Sequence, residues 1–132
     1  MILDKIVAAT EKRVCDAKAN LPLSELQRQV ERMPITKGFP FEQALQELDF
    51  NFICEVKKAS PSKGIIAEDF PYLEIAKEYE MVGAAAISVL TEPDFFLGSP
   101  QYLKEIAEAV QIPVLRKDFI ICLLYTSLSG LA

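Results

Sequence analysis

"FICEVKKASPSKG", Phe52 to Gly64, begins as an apolar run of strand length and then sets a carboxylate and two ammonium groups where burial should continue. Side chains on a strand alternate faces, so Ile53, Glu55 and Lys57 share one side while Phe52, Cys54, Val56 and Lys58 share the other. An acid and a base on one face of a central strand are each costly to desolvate singly. Paired at the carboxyl end of the strand they stay charged beside a polar site, and in parallel α/β proteins that end is where ligands bind.

Working outward, the pattern on the carboxyl side is strand, loop, helix, repeated. Asn51 to Lys57 reads as a strand and Pro71 to Val82 as a helix with proline in its first turn and Gly83 at its end. Ala85 to Leu90 is a second strand, Ser99 to Val110 a helix, and Pro113 to Lys117 a third strand. The helices have room to be crossovers, so the strands are expected to be parallel. Such a rhythm fits an open doubly wound sheet or part of an eight-stranded barrel, and composition does not choose between them. The GxGxxG fingerprint of dinucleotide binding is absent, since "KKASPSKG" holds a single glycine.

On the amino side the spacing predicts an amphipathic helix over Ile2 to Ala19. A second is predicted over Ser24 to Arg32, with Ser24 as its cap. Pro34, Gly38 and Pro40 punctuate a loop before a brief helix in "FEQALQEL". Residues 1–50 therefore read as a helical preamble and residues 51–121 as βα units.

The third strand repeats the charge arrangement of the first. Pro113, Leu115 and Lys117 share a face, which puts another lysine at the strand mouth, with Asp118 starting the next loop. Ser88 and Leu90 share a face of the second strand, and "TEPDFFLGS" follows with Glu92, Asp94 and the pair Phe95 and Phe96. Taken singly each has a plain structural meaning: a solvated strand end, an ion pair, a turn at "SPS", an aromatic core. Two lysines and a glutamate at the same ends of different strands point instead to a site.

Composition narrows the chemistry. The chain has 132 residues, 51% apolar and 25% charged, the balance of a globular domain. Its net charge of −5 leaves no broad basic surface for nucleic acid, so an anionic ligand must be caught locally. No stretch has the apolar length of a membrane span and the opening residues do not form a secretory signal, so a cytoplasmic location is expected. Cys15, Cys54 and Cys122 are far apart and suggest neither a disulfide framework nor a zinc site. Histidine is absent, which removes Ser-His and Cys-His nucleophilic chemistry and leaves lysine and carboxylate as proton carriers.

"FICEVKKASPSKG", "ISVLTEPDFFLGS" and "PVLRKDFI", in this order after a helical extension, resemble indole-3-glycerol phosphate synthase, the tryptophan-pathway enzyme. The resemblance runs from Met1 to about Ile121. It implies a TIM (β/α)₈ barrel with an N-terminal helical segment. It also implies a carbon-carbon lyase that closes a carboxyphenylamino-deoxyribulose phosphate to an indole, losing carbon dioxide and water without metal or organic cofactor. Carried over by residue, Lys117 matches the general acid that protonates the sugar carbonyl oxygen. Lys57 matches the lysine that helps bind phosphate and assists later proton transfer, and Glu55 the carboxylate that orients both. Ser60 resembles a substrate-contacting hydroxyl in the mobile first βα loop, while Leu90, Phe96 and Phe119 would line the apolar wall against the aromatic ring. The implied partner is a small phosphorylated substrate, with association or fusion to other tryptophan-pathway enzymes left open.

A barrel of this class needs eight strands and about 250 residues, and the sequence holds three. The parent protein is therefore expected to be the enzyme, and this polypeptide alone to be inactive and poorly folded. After "RKDFII" the resemblance gives way to "CLLYTSLSGLA", which is similar to a one-frame translation of a common sequencing-library adapter. Residues 122–132 are accordingly expected to be a non-native tail. Two other readings stand beside the synthase. One is another phosphate-binding barrel, phosphoribosylanthranilate isomerase, which would lack the "KKASPSKG" and "RKDF" pair. The second is a non-catalytic half-barrel module that assembles with a complementary chain.

Overall fold

A computed structural model describes residues 1–33, 38–46 and 49–127. They fall into two compact units, one within Met1–Gly38 and Phe119–Ser129, the other within Phe39–Asp118.

The first unit is helical. Helix α1 spans Ile2–Asn20 and buries Ile6 and Thr10, and α2 spans Leu23–Glu31 and buries Leu26. The Thr10 hydroxyl donates to the Ile6 carbonyl at 3.0 Å and accepts from Arg13 at 2.8 Å, so the buried polar group is satisfied. Ser24 does not cap α2. The cap position is Pro22, whose extended backbone (φ −60°, ψ 146°) starts the helix two residues earlier than a serine cap would allow. A short helix, α6 (Leu123–Ser127), lies in the stretch expected to be a tail, and the Lys18 ammonium sits 5.7 Å from the centre of the Tyr125 ring.

The second unit carries the sheet. After α3 (Pro40–Ala44), which takes in only the first part of "FEQALQEL" because Leu45 is its C-cap and Gln46 bonds three residues back to Gln43 instead of four, the strands follow. Pro34, Glu47 and Leu48 lie outside the described residues. Strand β1 is Ile53–Val56, β2 is Ala59–Ser60, β3 is Gly64–Ile65, β4 is Ala86–Leu90 and β5 is Val114–Lys117. Helix α4 (Tyr72–Met81) connects β1 to β4, and α5 (Pro100–Ala109) connects β4 to β5. The main sheet has the order β1-β4-β5 with both pairings parallel. The crossovers therefore do what the sequence rhythm requires.

The two faces of this sheet differ. Val56, Ile87 and Val89 pack with Ala76, Ile106 and Val110 of the α4 and α5 layer into one buried cluster. Burying each of the larger aliphatic side chains contributes roughly 1.5–3 kcal/mol, which makes this face the main stabilising layer. The other face carries Ile53, Glu55, Ala86, Ser88, Leu90, Leu115 and Lys117, by alternation and register. Its central strand is buried throughout, whereas Ile53 and Leu115 on the flanking strands stay partly exposed.

The β4–α5 connection has one position that only glycine fits. A Cβ on Gly98 would stand 2.3 Å from the Leu90 carbonyl oxygen and 2.9 Å from the Thr91 nitrogen. Both are backbone atoms of the central strand and do not yield. Gly98→Ala is expected to destabilise the chain by about 2–3 kcal/mol, measured as a fall in Tm by circular dichroism; an unchanged Tm would show that the loop can move away from β4.

Candidate active site

Glu55, Lys57 and Lys117 meet on the face opposite the one that α4 and α5 cover. Glu55 Oε1 accepts from Lys57 Nζ at 2.6 Å, and Oε2 accepts from Lys117 Nζ at 2.9 Å. Lys57 follows Glu55 by two residues and lies one residue past the end of β1, where the strand expected to run to Lys57 has stopped, yet its side chain still falls on the Glu55 side. Lys117 comes from β5, two strands away, and reaches Glu55 across β4. The carboxylate is thus shared by two cations, and the cluster carries one net positive charge (+1 +1 −1) in a chain of net charge −5. A local cation excess at strand ends suits a phosphate or carboxylate ligand.

Burial pushes the Glu55 carboxyl up, but the hydrogen bonds from Lys57 and Lys117 and their charges outweigh it and hold the group below its ordinary value. The lysine side chains remain partly open to solvent, 32% for Lys57 and 55% for Lys117, so an incoming anion can reach them.

Lys117 is anchored from behind. Its carbonyl oxygen accepts from the Thr91 N–H at 3.0 Å. The Thr91 hydroxyl donates to Asp118 at 2.7 Å and accepts from Arg116 Nε at 3.0 Å, and Arg116 also pairs with Asp118 at 2.9 Å. This compact network of neutral and charged groups fastens the end of β5 to the end of β4 and sets where the Lys117 side chain begins. The sequence reading noted Asp118 only as a loop start. The signal for its role lies in Thr91, a polar residue directly after a wholly buried strand.

The loop after β4 is built around Glu92, which is fully buried. Its carboxylate accepts from the backbone N–H groups of Asp94 at 3.2 Å, Phe95 at 2.7 Å and Phe96 at 3.1 Å. Leu97 takes a left-handed backbone conformation (φ 51°), which costs a residue of this kind roughly 1–2 kcal/mol. Hydrogen bonds to a charged acceptor contribute about 1.5–3 kcal/mol each, so three of them outweigh that strain. Glu92 therefore fixes the position of Phe96, a function that the sequence reading did not assign.

The remaining sequence-predicted residues are placed as follows. Leu90 is buried at the carboxyl end of β4, in register with Lys117. Phe96 is half-buried in the Glu92 loop. Ser60 belongs to a short antiparallel ladder, β2 with β3, where a plain loop was expected, and its hydroxyl accepts from the Lys63 N–H at 3.3 Å. The ladder forms because Gly64 (φ 66°) turns the chain back on itself. Phe119 falls in the other compact unit. A concavity of about 380 Å³ lined by Pro40, Gln43, Asn51, Ala84 and Pro113 lies at the amino ends of the strands, away from the charged cluster.

Parallel strands joined by helical crossovers, with charged side chains gathered over the strand ends, define the α/β class built from βα units. Within that class, residues 3–124 match the family model described as indole-3-glycerol phosphate synthase, and the chain belongs to that family of TIM barrels. It is 60% identical over 121 residues to the indole-3-glycerol phosphate synthase of Endomicrobium trichonymphae, covering 92% of this chain and 47% of the relative. To that of Ruminiclostridium cellulolyticum it is 55% identical over 121 residues, covering 92% and 46%. The chain spans about half the length of the curated relatives it matches. Among the described residues no helix is long and apolar enough to cross a membrane.

The shared carboxylate has a consequence for acid stability. A glutamate whose folded-state value lies below its unfolded one stabilises the fold above the unfolded value, and that stabilisation disappears as pH falls through the folded value. Glu55→Gln is expected to lower stability by up to about 1 kcal/mol at neutral pH, given how exposed the lysines are. The deficit should shrink as pH falls below the ordinary glutamate range. Urea midpoints of both proteins between neutral and acid pH test this, and a deficit independent of pH would remove the ion pairs as its cause.

Proposed function

We propose that the protein acts as an indole-3-glycerol phosphate synthase, a carboxy-lyase that closes a carboxyphenylamino-deoxyribulose phosphate to indole-3-glycerol phosphate. The carrying observation is the sharing of Glu55 between Lys57 and Lys117 over the strand ends, at 2.6 and 2.9 Å. In the ring closure, the aromatic carbon bearing the carboxylate bonds to the sugar carbonyl carbon while Lys117 delivers a proton to the carbonyl oxygen. Carbon dioxide then departs and leaves its electron pair in the ring system. Loss of the new hydroxyl as water, after a second proton transfer, completes the indole. Lys57 holds the phosphate and assists the later proton transfer, and Glu55 keeps both ammonium groups oriented.

Leu90 and Phe96 supply the apolar surface for the aromatic ring, with the Ser60 hydroxyl as a further substrate contact. The described residues present three parallel strands of the main sheet, and full activity draws on the remaining βα units of the family barrel. A cytoplasmic location suits a biosynthetic lyase acting on a phosphorylated metabolite.

The test is this chain joined at Ile121 to the carboxyl-terminal half of the Endomicrobium relative. The joined protein is expected to form indole-3-glycerol phosphate, seen by its indole fluorescence. Lys117→Ala in that protein should lower kcat by at least about 100-fold, the contribution of a positioned general acid, with KM changed far less. Turnover equal to that of the unsubstituted protein would remove Lys117 from its role.

A further inference from the structure

Ser88 lies at the middle of β4, in register with Glu55 on one side and Leu115 on the other. Alternation puts its side chain on the same face as Glu55 and Lys117. The bond from Lys117 to Glu55 spans β4, a distance of two strand spacings of about 4.8 Å. Ser88 and Leu90 are the β4 residues beneath that bridge. Ser88 is only 5% exposed, and its hydroxyl is among the buried polar atoms without a hydrogen-bond partner in the described residues.

A buried hydroxyl left unpaired costs about 1–3 kcal/mol, and alanine would fit the same space without that cost. Groups of this kind call for an explanation in a second state of the site. The neighbouring carboxylate provides one. Among the described residues, Glu55 is oriented by Lys57 and Lys117, since β4 presents Ala86, Ser88 and Leu90 on that face. From α4, Tyr79 reaches only the Glu55 carbonyl oxygen, at 3.4 Å. An anionic ligand that takes up the ammonium groups withdraws donors from the carboxylate. A replacement donor on the adjacent strand and in register is the Ser88 hydroxyl.

We propose that Ser88 is a positioning residue for Glu55, donating its hydroxyl hydrogen bond to the carboxylate when a phosphorylated ligand engages Lys57 and Lys117. The inference rests on the site reading given under Proposed function and adds a residue that acts on Glu55 rather than on substrate. Its effect belongs to the liganded state, so it bears on turnover more than on ligand capture.

The experiment uses the joined barrel described above. Ser88→Ala is expected to lower kcat about tenfold, the lower end for a hydrogen bond to a charged group, with KM within about twofold. Losing a donor to the carboxylate favours its protonated form, so the acid limb of the kcat profile should move to higher pH. Ser88→Thr, which keeps the hydroxyl, should restore both. Unchanged kinetics in Ser88→Ala would overturn the proposal, and so would a rise in KM alone, which would make Ser88 a substrate contact. A second arm needs no turnover: the Glu55 side-chain carbon is titrated by NMR with and without saturating inorganic phosphate. Phosphate should raise the Glu55 midpoint more in Ser88→Ala than in the unsubstituted protein, and equal responses overturn the proposal. Absence of turnover in the unsubstituted barrel would count against the synthase reading, while the phosphate arm still decides the role of Ser88.

Discussion

One carboxylate held by two ammonium groups across a parallel sheet is the constraint around which the second unit is arranged. Glu55 cannot be half-buried and ionised without compensation, and a single neighbour on its own strand would leave one oxygen to solvent. Lys117 supplies the other bond at 2.9 Å, but only because β4 lies between β1 and β5 and its inward side chains are short or apolar enough to be crossed. The parallel register matters equally, since it brings the end of β5 level with the end of β4 and within side-chain reach of β1. An antiparallel third strand would send the lysine to the opposite edge.

Around that cluster the chain spends its stabilising interactions unevenly. The helix-covered face is apolar and continuous, from Val56 through Ile87 and Val89 to Ile106, and holds the sheet together. The face with the charges is held by discrete polar ties: Thr91 to the Lys117 carbonyl, Arg116 to Asp118, and Glu92 to three backbone N–H groups of its own loop. Such ties position groups without filling the space in front of them. They also tolerate a left-handed Leu97 and demand a glycine at position 98, where the loop passes against β4. Rigid strand ends with an open front are what a site for an anionic, aromatic substrate needs.

Much of this was legible in the residues. Alternation identified the face shared by Glu55 and Lys57, and helix-length gaps between apolar runs required parallel strands. The motifs flanking the strands pointed to the family. The sequence was misleading where local chemistry has two outlets: Ser24 looked like a cap, but Pro22 starts the helix; the stretch around Ser60 looked like plain loop, but Gly64 lets it fold into a two-residue ladder. Glu92 and Ser88 are visible in the sequence without a role, because a glutamate in a loop and a serine in a strand are common, and nothing in their neighbours says that one is fully buried and the other unpaired.

Periodicity and residue type were enough to establish the βα order, the parallel sense of the strands and the charged ends of the first and third, because these follow from backbone geometry within a few residues. They were not enough to establish which charges touch. Glu55 and Lys117 are far apart in the chain, and their contact depends on strand order and register, which arise from packing of α4 and α5 against the sheet. The same is true of the unpaired Ser88 hydroxyl: burial is a property of what lies across it, and only the assembled sheet brings the Lys117 bridge over that position.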